Sequence, residues 1–411
     1  MGVEAVIATQ VIDTTSVGRS LMTAANAAAA RTAADAQVTL VSGTNLKTIN
    51  STSLLGSGDI AVGVSGAGSV DNAVLRADGT GGATLQSSAF VIADNATASP
   101  NNTVNHASLQ ATGGTTNVSV SIVPKGTGAF CLQVPDGTAA GGNARGANAV
   151  DLQTDRSASN QVASGAGSGL LGGSGNRASG NYSACIGGGA SAATGDNATT
   201  IGSFSTASGA SAFAGGTLCV ASGAHSFAIG YQNTASGDRS TALNQFCNAT
   251  TLYTIASGYR SLADRYGMRA QGAIDFNAGS QGQAQYARFV LAVKTTNNTP
   301  ATMWLNGSSI RLAIPSGKIL YADILISGIK SDGSAAACYK RKVAIKNVGG
   351  TTSLVGSVET IGTDHEDNAS TDIAITADDT NDALDISVTG IASETWRWVA
   401  VVEGLEIAYG T

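Results

Sequence analysis

Asp364-His365-Glu366-Asp367-Asn368 is the densest run of chemistry-bearing side chains in the sequence. Carboxylate oxygens on a turn suit calcium, but the ligand spacing of an EF-hand loop is missing, so a solvated loop is expected and no metal ligand is assigned. Loops held by a rigid scaffold are where recognition concentrates. That makes Asp364, His365, Glu366, Asp367 and Asn368 the candidate contact residues. Asp378-Asp379 forms a second, shorter acidic run.

Catalytic groupings are harder to assemble. The three histidines, His106, His225 and His365, fall in three different regions, so no Ser/His/Asp set follows from their order. Glycoside cleavage needs two carboxyls facing one groove, and Asp196, Asp238, Asp264 and Asp275 are scattered through the middle of the chain. Gly167-Ser168-Gly169-Leu170-Leu171-Gly172 matches a dinucleotide fingerprint in letters only. That motif needs a strand before it and a helix N-terminus after it, and here it lies among glycine-rich β segments. No catalytic residue, cofactor or metal is assigned, and a non-enzymatic protein is expected.

Tyr339-Lys340-Arg341-Lys342 carries concentrated positive charge. Strand alternation sends Lys340 and Lys342 to one face and Tyr339 and Arg341 to the other, as on a solvated strand. The same alternation puts Trp396 and Trp398 together, and core packing accounts for them better than sugar stacking.

The composition explains why chemistry is sparse. Only 12% of the 411 residues are charged and 5% aromatic, while glycine supplies 53 positions. A chain with so few large side chains buries little as a monomeric globule, but suits close packing of β segments. The net charge of −6 predicts neither a nucleic-acid surface nor a membrane patch. Five cysteines (Cys131, Cys185, Cys219, Cys247, Cys338) lie far apart and outside any zinc spacing, so buried free thiols are expected. The opening Met1–Ala8 segment has no basic stretch before an apolar one, and no apolar run is long enough to span a bilayer. Cytoplasmic synthesis without membrane insertion is the expectation.

A repeat organises the centre. Its anchor glycines, Gly165, Gly180, Gly195, Gly209, Gly223 and Gly237, are spaced 15, 15, 14, 14 and 14 residues apart. A longer coil then reaches Gly258, and the 14-residue period returns at Gly272. A fixed short period is the mark of a solenoid, with two short strands per coil and the glycines expected at the corners. One such coil cannot bury its apolar residues alone, so stacked coils share a core. Small residues on the outer face suit side-by-side packing of identical chains, which three-fold symmetry closes with one interface type.

Four stretches carry family resemblances. Leu46-Lys47-Thr48-Ile49-Asn50 followed by Ser53-Leu54-Leu55-Gly56-Ser57-Gly58-Asp59-Ile60 resembles a phrase of tailed-phage fibre proteins, as does Gly18-Arg19-Ser20-Leu21-Met22-Thr23-Ala24-Ala25-Asn26-Ala27. Ser226-Phe227-Ala228-Ile229-Gly230, continuing to Ala235-Ser236-Gly237, is similar to the head repeat of trimeric autotransporter adhesins. That family folds as a left-handed parallel β-roll of three chains packed side by side. Trp398-Val399-Ala400 with Val402-Glu403 resembles a strand near the end of phage fibre knobs.

Together these readings predict a mainly β, elongated homotrimer. Residues 1–64 would attach to the virion through a helix over Ser16–Gln37 and short strands, and 65–145 would be a β-rich connector. Residues 146–280 would form the β-roll shaft, and 281–411 an antiparallel β-sandwich tip. The resemblance implies a tail fibre of the virion. Its N-terminus would bind tail or baseplate proteins, and its tip would bind a glycan or protein receptor on the host. Asp364–Asn368 then become receptor contacts. A capsid-attached fibre, a bacterial trimeric surface adhesin and a glycan depolymerase are the alternatives; the adhesin would need a signal peptide and a membrane anchor, which the sequence does not display.

Overall fold

The computed structural model describes residues 25–29, 73–78, 84–94, 107–111, 120–277 and 279–409. The chain divides into two compact units, Met1–Ile122 and Val123–Thr411.

In the first unit three strands, Ala73–Asp78, Thr84–Asp94 and Ala107–Ala111, form one antiparallel sheet in chain order. Of the expected helix, Ala27–Ala29 is helical, and the Asn26 side-chain oxygen accepts the amides of Ala28 and Ala29 as an N-cap does. The rest of that helix and the Leu46–Gly63 phrase lie outside the described residues. Residues 120–123 are irregular.

The second unit begins as a parallel β-solenoid. One ladder of strands runs from Phe130–Cys131 and Val150–Asp151 through Gly169–Leu171 and Phe213–Thr217 to Arg269–Ile274. A second ladder of two-residue strands runs from Arg177–Ala178 to Leu262–Ala263. At its start Asp151 is fully buried between two arginines, with Arg145 Nε at 2.7 Å and Arg156 Nη2 at 3.0 Å.

Small residues are required because three inward columns meet inside each coil. One column is Leu170, Cys185, Thr200, Ala214, Ala228, Ala242 and Ala256, and a second is Ala178, Ala193, Ala207, Ala221, Ala235, Ala249 and Ala263, all fully buried. A third is polar: Asn176, Ser191, Ser205, Cys219, Asn233, Cys247 and Ser261. Asn233 shows its use. Its amide donates to the Ile229 and Asn244 carbonyls (2.6 and 2.9 Å), and its oxygen accepts the Cys247 amide (2.8 Å). These side chains satisfy corner backbone groups that burial would otherwise orphan.

Two expectations about the repeat are corrected. The coil after Gly237 is not longer: Thr251 stands where the next anchor glycine would, and a Cβ on Gly237 would meet the Thr251 carbonyl. Gly258 and Gly272 belong to a different column, in which Gly230 faces Asn244. The anchors do open the corner turns, the Gly209 carbonyl accepting the Ala212 amide, but their own conformation is not what demands glycine. Gly209 has an ordinary φ, but a Cβ there would strike the Gly223 carbonyl of the next coil. Close approach of coils, not chain reversal, excludes side chains. The left-handed corners are taken instead by Tyr182, Asn197, Ser211, His225, Arg239 and Tyr253, with φ between 54 and 60°.

The parallel ladder then changes sense. Arg269–Ile274 pairs antiparallel with Ala284–Thr295, which pairs with Trp396–Ala408, then Lys318–Lys330, then Ala336–Val348. The chain's last long strand therefore lies between its first two in this region. It is one strand, not two, because Gly404 permits backbone contact with Tyr321 where a Cβ would clash. A smaller antiparallel sheet joins Asp372–Asp378 to Ala383–Thr389, whose other edge takes Ala301–Thr302 and Leu312–Ala313. Alternation in the long strands buries Leu320, Ile324, Ile345, Phe289 and Leu291 together with Ile386 and Val388 of the smaller sheet. Trp396 and Trp398 are fully buried and stacked 5.5 Å apart. Truncating one such side chain costs about 3–5 kcal/mol.

Candidate functional site

The acidic run Asp364–Asn368 is built against the edge of the long sheet. His365–Glu366 is a short strand paired with Ala337 and Cys338. Asp364 binds Arg341 in a bidentate pair (2.6 and 2.8 Å), and this guanidinium holds its carboxyl below the usual carboxylate range. Glu366 accepts the Tyr339 hydroxyl at 2.8 Å and the Thr371 hydroxyl at 3.2 Å. Burial raises the Tyr339 phenol well above its ordinary value, so it stays a donor. Asp367 accepts the Ala336 amide at 2.8 Å, and Asn368 accepts that of Ser370 at 3.0 Å. These contacts fix the segment's shape, and His365, Glu366, Asp367 and Asn368 all stay exposed.

His365 opens onto a groove of about 500 Å³, lined also by Ile361, Thr363, Leu325, Ser327, Cys338 and Val399. Sheet register places Ser327, Cys338 and His365 opposite one another on three adjacent strands. The Ser327 Oγ to Cys338 Sγ distance is 3.5 Å. Sequence reasoning assigned Cys338 to a buried class, but it is exposed, and Cys131 is half-buried, while Cys185, Cys219 and Cys247 are buried. Alternation from Tyr339 could have placed Cys338 outward; its pairing with His365 has no local signal.

The other singled-out residues are placed as follows. Lys340 and Lys342 share the outer face and lie 3.7 and 3.5 Å from the Asp323 carboxylate. Asp378 pairs with Arg311 at 3.2 Å, and Asp379 accepts the Thr352 amide. His225 is an exposed solenoid corner, and His106 lies outside the described residues. Asp264 is beside Arg265, Asp275 beside Arg260, and both Asp196 and Asp238 accept coil-to-coil amides. Among the described residues no group of three His, Cys, Asp or Glu side chains is placed to hold a metal.

A second built feature lies where solenoid and long sheet meet. Glu406, 1% exposed in its side chain, accepts Lys318 Nζ and Gln285 Nε2, each at 2.8 Å, and pairs with Arg265. Burial alone would raise its carboxyl, but Arg265 and Lys318 overcome that and hold it below the ordinary glutamate value.

Two copies of the YadA head domain repeat match residues 221–243. No curated protein matches. Solved structures similar to this chain include the tailspike of Acinetobacter phage vB_ApiP_P1, with 11% identity, a TM-score of 0.21, and 59% of this chain and 51% of that one covered. Another is the gp49 tailspike of Acinetobacter baumannii bacteriophage Fri1, a capsular polysaccharide depolymerase, with 9% identity, a TM-score of 0.20, and coverages of 58% and 46%. A third is the tailspike of Acinetobacter baumannii phage AM24, with 11% identity, a TM-score of 0.19, and coverages of 67% and 56%. The chain spans about half the length of these structures. One of these structures is described as a capsular polysaccharide depolymerase, against the expectation of a non-enzymatic protein. The head-repeat match fits the repeat read across this part of the parallel β-solenoid.

Proposed function

We propose that this chain is a phage tail protein that binds the bacterial host surface, with three copies packed side by side along the solenoid. The observation that carries the reading is the solenoid itself: YadA-like coils running directly into an antiparallel region whose edge holds Asp364–Asn368 beside an open groove. Support for partner copies comes from an apolar row left exposed on the outer solenoid face, including Leu171, Ile186 and Ile201. Tyr286, Leu405 and Tyr321 prolong that row at matching register positions. Rows of exposed large apolar residues on a soluble protein mark interaction surfaces.

In this reading residues 281–411 contact a glycan or protein receptor, residues 1–64 engage the tail or baseplate, and the protein acts in the virion. Three modest sites at one end would give avidity without high single-site affinity. Adsorption competition tests it: the purified full chain, added before phage, should slow attachment to host cells. Unchanged attachment would refute host binding. The same incubation is read for shortened surface glycan, which would establish cleavage as well as binding.

A further inference from the structure

The solenoid turns two left-handed corners per coil, and the two are chemically unlike. The corner before a first-ladder strand carries Asn197, Ser211, His225 and Arg239 in successive coils, with φ of 54–57°. The corner after it carries Phe204, Leu218, Gln232, Phe246 and Arg260, with φ of 52–58°. One backbone conformation thus serves both, and it does not call for apolar side chains, since a bulky residue is disfavoured there. Phe204 is nonetheless 58% exposed and Leu218 40%. Phe246, at the same corner, shows what packing within one chain looks like. Tyr231 and Tyr259 meet its ring edge-on at 5.4 and 5.9 Å, and the Arg260 guanidinium lies over it at 4.5 Å. Phe204 makes no ring contact of that kind among the described residues. Its conformational cost has no matching gain inside the chain.

The strand face beside these corners is apolar as well. Ile186 and Ile201 are register partners, and Gly215 follows them in the next coil. The Phe213 ring covers Gly215, where a Cβ would meet it at 2.9 Å. Phe213 in turn stacks on its register partner Phe227 at 5.0 Å, which makes a flat aromatic plate across two coils. One chain therefore has exposed apolar corners along an edge and an apolar plate on the adjoining face. The coils that carry them are about 4.8 Å apart. A partner that matches both features must repeat at that interval, and a second copy of this solenoid does.

We infer that Phe204 and Leu218 seat against the Phe213–Phe227 plate of a neighbouring copy, each copy offering its corners to the next. Corner against plate is a heterologous contact, which closes into a ring under cyclic symmetry. The inference rests on the side-by-side packing proposed above and names the contact that carries it. A lone chain and an assembled one give opposite signs for the same substitution. Phe204→Asn with Leu218→Asn installs a residue type that tolerates the left-handed corner, as Asn197 does, and removes exposed apolar surface. In a lone chain this paired variant would melt no lower than wild type. In the assembly it should raise the concentration for half-association of the full chain, read by sedimentation, at least about tenfold. His225→Asn, at the opposite corner, should leave that concentration unchanged. A benzophenone-bearing phenylalanine in place of Phe204 should photo-crosslink to the Phe213–Phe227 segment of another copy. Unchanged association of the paired variant, an equal loss in His225→Asn, or a crosslink confined to one chain would each overturn the contact while leaving the side-by-side packing standing. A monomeric wild type would overturn both.

Discussion

Gln271 and Tyr286 are direct antiparallel partners, and across this pair the parallel sheet of the solenoid becomes the antiparallel sheet that follows it. The row continues through Leu405 to Tyr321, so one hydrogen-bonded sheet carries register from the coils into the C-terminal strands. Backbone pairing thus crosses the junction, and the contacts around it determine how firmly the two parts are held.

Glu406 is the first of those contacts to test. Replacing it by glutamine leaves the buried Arg265 and Lys318 with Asp264 as their one remaining carboxylate partner, and should destabilise the protein by about 3 kcal/mol in denaturant unfolding. The pH dependence has a defined sign. Its folded-state carboxyl lies below the ordinary value, so its stabilisation is complete above the usual glutamate range and is lost as pH falls through the lowered value. Glu406→Gln should remove that acid-side component; an unchanged acid profile would show that the carboxylate contributes none of it.

Gly223→Ala places a Cβ against the carbonyl of Gly237 in the next coil. Separating coils that already share backbone hydrogen bonds should cost about 1–3 kcal/mol. Circular dichroism melts would report a lower midpoint. A Gly333→Ala control has open space for its Cβ but a φ of +74°, so any loss there measures backbone conformation rather than coil spacing.

Asn233→Ala should be worse than its small change in volume suggests. Three backbone groups, the carbonyls of Ile229 and Asn244 and the amide of Cys247, lose their partner together. At about 1–3 kcal/mol for each group left buried and unpaired, solenoid melting should fall well below that of Ala235→Gly. Asn233→Ser, the residue type used in other coils, should recover part of the loss.

Thiol labelling separates the cysteines by burial. Cys338 should react first with a maleimide in native protein, followed by Cys131. Cys185 and Cys219, whose thiols burial pushes up, should react only on unfolding. Mass mapping of the modified peptides gives the order. Early modification of Cys219 would contradict the packed solenoid interior.

The repeat was legible because its period survives substitution, and the long strands because Lys318–Lys330 and Ala336–Val348 are rich in Ile, Val, Leu and Tyr and are separated by the turn residues Ser331-Asp332-Gly333-Ser334. What misled was chemistry that changes identity at constant geometry. Thr251 replaces an anchor glycine, so a reading keyed to glycine jumped to Gly258 in another column. Gly404 marks a close backbone approach within one strand. Strand order was not legible, since nothing near Trp396 signals that it will lie between Thr295 and Lys330. For the acidic run, the sequence located the residues but not their division of labour. Asp364 and Glu366 are held by Arg341 and Tyr339, and His365 faces the groove, because pairing with Cys338 imposes alternation on what read as a loop.

Coils that stack without side chains at their anchor positions have a consequence for length. Each coil from Gly195 to Thr251 presents the same two strand registers to the one above and the one below, 14 residues later. Removing residues 210–223 would bring matching surfaces together and shorten the solenoid by about 4.8 Å, leaving the sheet beyond Gln271 intact. Reach is therefore quantised: it can be adjusted in whole coils without redesigning either end.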